Sequence, residues 1–141
     1  MTTLTLDVAN RLVEHALRRA RELGYKPMAI AVLDEAGNVK VVQRDDGASM
    51  LRVDIAVGKA WAAVGMGTSS RTLAERAKAI PAFFNALAAT GQGRFIPQTG
   101  AVLIQDERGA TLGAIGASGG TGDEDEAICI DAIVAMSLRH G

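Results

Sequence analysis

A glycine-rich loop over residues 116–121 is the first place in this sequence where chemistry could occur. Its backbone could cradle an anion or a carboxylate, because glycines let N–H groups come close and a helix N-terminus is partially positive. The alternative is conformational, since glycine permits the turn and Thr121 and Glu124 have capping-box spacing. Neither a Walker lysine nor a strict G-x-G-x-x-G is present, so nucleotide binding is poorly supported. The candidate ligand-binding residues of the loop are Ser118, Gly119, Gly120 and Thr121.

Lys59 is a lone amine in an otherwise apolar helical pattern, on the same face as Arg52. It could be a partly desolvated cation facing a pocket, or its stem could carry the charge out to solvent. In an enzyme, Lys59 would be the acid or electrostatic stabiliser, and Glu126 or Asp125 the base. Arg44, at the end of a predicted strand, is a second candidate cation; a surface ion pair with the neighbouring Asp46 is the alternative.

The two histidines and the single cysteine do not have the spacing of a metal site, because there is no C-x-x-C and no H-x-x-x-H. His15 lies near the apolar edge of the first predicted helix and could ligate heme iron through an imidazole nitrogen. A packed or solvated histidine is the commoner situation. Cys129 belongs to an apolar stripe and is predicted to be core. His140 is expected to be frayed, and no nucleophilic triad can be assembled.

Charge and length exclude several classes of protein. The chain has 141 residues with a net charge of -1, which argues against a nucleic-acid binder and against a polybasic membrane anchor. No apolar run approaches the roughly 20 residues that span a bilayer. The N-terminal residues lack a basic segment followed by an apolar block, so no signal peptide is predicted. With one cysteine, a reducing compartment and hence a cytoplasmic location are expected.

Aromatic residues are only 4% of the chain, so the core must be built mainly from small aliphatic side chains. We therefore expect extra burial through self-association. Gly58, Trp61 and Gly65 share one helix face, which could contact another subunit. Ordinary packing within the core is the alternative for this face.

The periodicity predicts one domain over residues 1–141, with element order α-β-β-α-α-(β)-β-β-α. Hairpins with helices between them indicate an antiparallel α+β sheet and not a doubly wound parallel one. Thr5, Ser49 and Thr72 are the predicted caps of the first three helices. The predicted elements are helix Leu6–Leu23, strands Met28–Leu33 and Val39–Arg44, helices Met50–Met66, Thr72–Ala79 and Ala82–Thr90, a weak strand Phe95–Pro97, strands Ala101–Ile104 and Thr111–Ala117, and a last helix reaching Arg139.

Several blocks resemble a known family over most of the chain, from about Leu4 to Arg139. The blocks are Val32-Leu-Asp-Glu-Ala-Gly-Asn38, Arg44-Asp-Asp-Gly-Ala48, Asp54-Ile-Ala-Val-Gly-Lys-Ala60, Pro97, Gly100, Gly113-Ala-Ile-Gly-Ala-Ser-Gly-Gly-Thr121 and Asp125-Glu-Ala127. In combination they are similar to the heme-binding GlcG/HbpS-like family, which includes the C-terminal domain of PduO-type proteins. The resemblance implies a profilin-like fold: a five-stranded antiparallel sheet with helices on both faces, the weak strand being the fifth. It also implies homo-oligomers, some of which bind heme.

Three hypotheses follow. In the first, the chain is a cytoplasmic homo-oligomer that binds heme or a similar carboxylate-bearing small molecule, with no nucleic-acid or membrane partner. Backbone N–H groups of the glycine-rich loop would meet carboxylates, Lys59 or Arg44 would supply countercharge, and His15 would ligate iron. In the second, it is an isomerase, lyase or hydrolase of a carboxylate metabolite. In the third, the oligomer is a scaffold without a ligand. A flat slot at His15 favours heme, and a compact polar cavity at Lys59 and Ser118 favours an enzyme.

Overall fold

The computed structural model describes residues 3–141. Its centre is a five-stranded antiparallel sheet in the order β2-β1-β4-β3-β5. The strands are β1 (Ala29–Asp34), β2 (Val39–Arg44), β3 (Ala101–Gln105), β4 (Thr111–Ser118) and β5 (Arg139–His140), and the helices are α1 (Leu6–Glu22), α2 (Leu51–Met66), α3 (Ser70–Ala79), α4 (Pro81–Thr90) and α5 (Gly122–Ala135). The expected α+β, profilin-like architecture is therefore confirmed.

Helices cover both faces of the sheet because β1 alternates two sets of buried side chains. Ile30 and Val32 point into a core shared with α1 and α5. Ala29 and Ala31 face the opposite way and pack against α2 through Ala56. On β4, a side chain at Gly116 would lie 2.5 Å from the Ala56 carbonyl oxygen. This glycine thus allows α2 to lie close against the sheet.

The fifth strand of the sheet is not the segment that the sequence predicts. The segment Phe95–Pro97 forms no strand, because it is held by α2: the Ile96 N–H donates to the Gly58 carbonyl at 3.3 Å. A side chain at Gly58 would lie 2.6 Å from the Ile96 side chain, and Phe95 packs edge-on against Trp61. The face of Gly58 and Trp61 therefore makes ordinary contacts within the chain.

The observed fifth strand is formed near the C-terminus. Helix α5 ends at Ala135, before the predicted Arg139, and the left-handed φ of 57° at Ser137 turns the chain back toward the sheet. His140 then pairs with Ile104 of β3, and Gly141 exchanges two backbone hydrogen bonds with Leu103. The expectation that His140 would be frayed was wrong, because the sheet edge of β3 offers backbone partners.

Two of the predicted helix caps were wrong and two are confirmed. The Thr5 side chain accepts from the Val8 N–H, and Thr121 forms a full capping box with Glu124. Ser49 does not cap α2, which begins at Leu51 without a side-chain cap. Helix α3 begins two residues earlier than predicted, with Ser69 as its cap and the Thr72 N–H as the donor. Within residues 3–141, none of the helices is long and apolar enough to cross a membrane.

Candidate functional site

A polar pocket of about 490 Å³ lies where α2, the end of β4 and the start of α5 meet. The glycine-rich loop joins β4 to α5, so it forms one wall, and α2 forms the facing wall. The lining residues are Arg52, Ile55, Lys59, Gln98, Thr99, Ser118, Gly120, Thr121, Gly122, Asp123 and Asp125. The structure thus brings Lys59 and Ser118 to one open polar pocket.

Lys59 does not carry its charge to solvent; it ends in a buried ion pair. The residue is 5% exposed, and its Nζ lies 3.0 Å from Asp125 Oδ2. Nζ also donates to the Ala117 carbonyl at 3.1 Å. Because each partner sits on a different element, this pair ties α2 to the end of β4 and to the first turn of α5. A buried charge without these partners would be very unfavourable.

Asp125 is held by both of its carboxylate oxygens. Oδ2 meets Lys59, and Oδ1 accepts from the Gly120 N–H at 2.9 Å. Burial raises the pKa of Asp125 above its ordinary value, while the charge of Lys59 and the Gly120 N–H oppose that rise. Desolvation dominates because the carboxyl is only 2% exposed.

Gly100 provides the space for the Lys59 side chain. Its φ is 141°, and a side chain placed there would lie 2.6 Å from Lys59 Nζ and 3.0 Å from the Ala117 carbonyl oxygen. Both the backbone conformation and the close approach favour glycine at this position.

Arg52 is the residue that sequence reasoning left without a role. It lies two turns before Lys59 on α2, and its Nη1 donates to Ser118 Oγ at 3.3 Å. Its positive charge also lowers the pKa of Asp125. Two adjoining depressions, which include Lys26 and Gly119, are lined by Arg52 as well. The sequence did contain an indication that Arg52 belongs to this site, because Arg52 shares a predicted helix face with Lys59.

The backbone donors of the glycine-rich loop are largely occupied. The Gly120 N–H is bound by Asp125, and the Thr121 N–H donates to Glu124 Oε1 at 2.9 Å. Their partners are carboxylates of the chain itself. An incoming carboxylate would therefore meet side chains of the pocket before it met these N–H groups.

Glu126, the alternative base, lies in a separate ion-pair cluster. Arg71 of α3 donates to both oxygens of Glu126 at 3.1 Å and also pairs with Asp123. These carboxylates raise the pKa of the Arg71 guanidinium. Glu126 does not line the pocket, so the structure brings Asp125 and not Glu126 next to Lys59.

His15 and Arg44 lie away from the pocket. His15 is on α1, seven residues before Glu22, the last residue of that helix. At 1.5 Å per residue, this separation is about 10 Å along the helix axis. Arg44 is exposed and donates to the Ala48 carbonyl at 2.7 Å. The alternative for Arg44, an ion pair with Asp46, is not formed; the neighbouring Asp45 pairs with Arg21.

Within residues 3–141 no group of three or more acidic, histidine or cysteine side chains is arranged to hold a metal ion. Cys129 is fully buried, as predicted, and burial raises the pKa of its thiol. Its sulfur lies 3.8 Å from the Gly100 carbonyl oxygen. It is therefore a packing residue beside the site.

Fold and site together define an α+β protein of the profilin-like class with a polar pocket at one end of its sheet. Within that class, residues 4–134 match the family described as haem degrading protein HbpS-like. Because this match covers nearly the whole chain, the protein belongs to the HbpS-like family.

Solved structures and curated relatives agree with this assignment. The chain superimposes on a structure described as a PduOC:heme complex with a TM-score of 0.86, 27% identity and coverage of 98% of both chains. For a crystal structure of HbpS the TM-score is 0.80 at 28% identity, covering 96% of this chain and 91% of that one.

Among curated proteins, the corrinoid adenosyltransferase PduO of Citrobacter freundii is 31% identical over 97% of this chain. The chain spans 40% of the length of that relative. An uncharacterized 15.0 kDa protein of the dhaT-dhaS intergenic region of C. freundii is 26% identical and is covered over 94% of its length.

Proposed function

We propose that this protein binds heme, or a similar planar carboxylate-bearing molecule, and that it does so as a homo-oligomer. The observation that carries the proposal is the likeness, over 98% of both chains, to a PduO domain solved with heme. Membership of a family named for haem degradation supports the same ligand class. Heme would supply an iron centre that needs an axial ligand, and carboxylates that need countercharge.

The donor chemistry around His15 fits such a ligand. The imidazole is partly buried, and Arg18 donates to its Nδ1 at 3.1 Å, so Nε2 is the ring nitrogen that we assign to iron. Because an accepting Nδ1 places the ring proton on Nε2, ligation through Nε2 requires the proton to move and Arg18 to let go. Arg11 and Arg18 stand one turn to either side of His15 on α1 and are paired at the surface with Asp7 at 3.1 Å and Glu22 at 3.8 Å. Because exposed ion pairs are weak, both guanidiniums can exchange these partners for the carboxylates of a ligand.

The neighbouring surface of α5 offers apolar contact. Arg19 of α1 reaches Asp131 of α5 at 3.2 Å, and His15 stands one turn before Arg19. Val134 follows Asp131 by three residues and is 58% exposed. An imidazole, two guanidiniums and an exposed aliphatic side chain on adjoining helices form a suitable edge for a flat, amphipathic ligand.

The sequence-based version of this proposal needs revision. It combined His15 with the glycine-rich loop and with Lys59 or Arg44 in one site. Within a subunit, His15 does not line the Lys59 pocket, and Lys59 is already neutralised by Asp125. We therefore propose His15 as the iron ligand and place the carboxylate contacts on α1.

Self-association is proposed from the apolar surface. Four large hydrophobic side chains at the junction of α3 and α4 and at the start of α2 are at least half exposed. They are Met50, Leu51, Ile80 and Phe83. Aromatic residues are few in this chain. Light scattering at micromolar concentration should give a mass that is a multiple of 14.7 kDa, and a monomer would refute this part.

Titration of the purified apoprotein with hemin tests the ligand. We expect a saturable shift of the Soret band at micromolar heme. The chain has two histidines, so His140→Ala is the matched control for His15→Ala. Loss of the axial-ligand spectrum in His15→Ala alone supports the assignment. An unchanged spectrum in that variant removes His15 as ligand, and the absence of saturable binding to the wild type removes heme.

A further inference from the structure

We propose that the pocket between α2 and the glycine-rich loop is a second binding site, for a small free monocarboxylate, with Arg52 as its anion-binding residue. The proposal does not depend on heme binding. It rests on the charge arrangement of the pocket, on its shape and on the absence of His15 from its lining.

Arg52 is the cation in this pocket that the chain leaves for a ligand. Among the described residues, no carboxylate lies in ion-pair contact with Arg52, and the one hydrogen bond of its guanidinium goes to the neutral Ser118 hydroxyl at 3.3 Å. Lys59 is fully engaged by Asp125 and Ala117. A guanidinium presents several N–H donors in a planar fork that matches a carboxylate, so a bidentate contact can form beside the bond to Ser118.

The acidic side chains of the wall limit the charge of the ligand. Asp123 and Asp125 line the pocket; Asp125 is paired with Lys59, whereas Asp123 shares Arg71 with Glu126. The charge of Arg52, which has no carboxylate in ion-pair contact, is therefore the one that a bound molecule can pair with. A monoanion satisfies it, whereas a second or third negative charge on the ligand would be brought toward Asp123. Net complementarity thus favours a monocarboxylate over a dianion or trianion.

The remaining polar groups favour a ligand with a hydroxyl or carbonyl beside its carboxylate. Thr99 and Gln98 supply a hydroxyl and an amide on the pocket wall, and Ile55 is the apolar contact. The Ser118 hydroxyl is buried and serves as the acceptor that orients Arg52. A volume of about 490 Å³ admits a small metabolite, while the pocket mouth is open to the two depressions next to it. Specific small-molecule sites commonly combine a few oriented polar groups in this way.

The buried Lys59–Asp125 pair acts as a positioning element for this site. It fixes α2, which carries Arg52, against the loop that carries Ser118. Because Lys59 donates to Ala117 and Asp125 accepts from Gly120, the loop is held on both sides of Ser118. Arg52 therefore faces a wall that is already ordered before a ligand arrives.

Isothermal titration calorimetry of the full-length protein, free of heme, tests the site with lactate as the probe. Lactamide is its neutral isostere, and citrate is the polyanion. We expect saturable binding of lactate, at least about tenfold weaker binding of lactamide and citrate, and about tenfold or greater weakening in Arg52→Gln. Arg76→Gln, an exposed arginine on α3 away from the pocket, is the matched control and should bind as the wild type does.

Arg52→Lys separates charge from shape. It keeps the positive charge but loses the planar fork, so its affinity for lactate should fall between those of the wild type and Arg52→Gln. Circular dichroism and urea unfolding of each variant establish that it is folded.

Two outcomes overturn the proposal. The first is lactate that does not bind, and the second is lactate that binds equally well to Arg52→Gln. If lactate does not bind and Arg52→Gln also loses hemin binding, the pocket is assigned to a carboxylate of heme instead. A protein that binds lactate but not hemin retains this site and loses the proposed heme function, so the two failures are distinguishable.

Discussion

The first turn of α5 is anchored by two ion-pair systems of opposite character. On one side, Asp125 meets Lys59 in a buried contact that also engages Gly120 and Ala117. On the other, Asp123 and Glu126 meet Arg71, whose side chain is 44% exposed. Both systems join α5 to another helix, to α2 in the first case and to α3 in the second. Water competes for the hydrogen bonds of the second system only. From this comparison we expect burial, more than the number of charges, to decide how much each contact stabilises the fold.

The largest effect is expected from breaking the buried pair. Lys59→Met removes the charge but retains a long side chain, and it leaves the Asp125 carboxyl buried without its partner. We expect the free energy of unfolding to fall by about 3–5 kcal/mol, measured by urea denaturation at neutral pH. Lys59→Met combined with Asp125→Leu should recover much of that loss, because no charge then remains buried. A loss below about 1 kcal/mol in the single variant would mean that the pair is not desolvated.

A second expectation concerns the sign of the pH dependence. Burial raises the pKa of Asp125, whereas the bond to Arg21 lowers the pKa of Asp45, both from an ordinary value of 3.8. With a raised pKa, the folded state binds more protons than the unfolded state, so stability falls as the pH rises above 3.8. With a lowered pKa, stability is present above 3.8 and is lost as the pH falls through the lowered value.

Urea unfolding of the wild type, Asp125→Asn and Asp45→Asn between pH 3 and 7 measures these contributions. The difference between the wild type and Asp125→Asn should decrease with rising pH. The difference between the wild type and Asp45→Asn should increase with rising pH. Equal signs for the two differences would contradict the contrast between the desolvated Asp125 and the arginine-paired Asp45.

The smallest effect is expected at the exposed cluster. Arg71→Gln removes the guanidinium that joins Asp123 and Glu126 to α3. Solvent-exposed pairs contribute about 0.2–1 kcal/mol, and added salt should reduce the difference from the wild type further. Unfolding in low and in high salt checks this. A salt-independent loss as large as that of Lys59→Met would show that Arg71 acts by packing and not by charge.

Much of the architecture was predictable because it depends on local periodicity. The continuous apolar run of β1 and the 3.6-residue repeat of α1 indicated their types and nearly their ends, and the capping box at Thr121 marked the start of α5. The fifth strand was not predictable in this way. A two-residue strand has no periodicity, and its pairing depends on the free edge of β3, far away in sequence.

The same distinction between local pattern and tertiary contact applies to the candidate site. By itself the sequence determined which residue types could hold an anion or an iron atom, namely a glycine-rich loop, a lysine among alanines and a histidine on a helix edge. Tertiary structure alone decided that Lys59 meets Asp125, that Arg52 is the cation left for a ligand, and that His15 lies elsewhere. The reason is physical: periodicity reports the face of a helix, whereas charge compensation depends on which distant side chain that face meets.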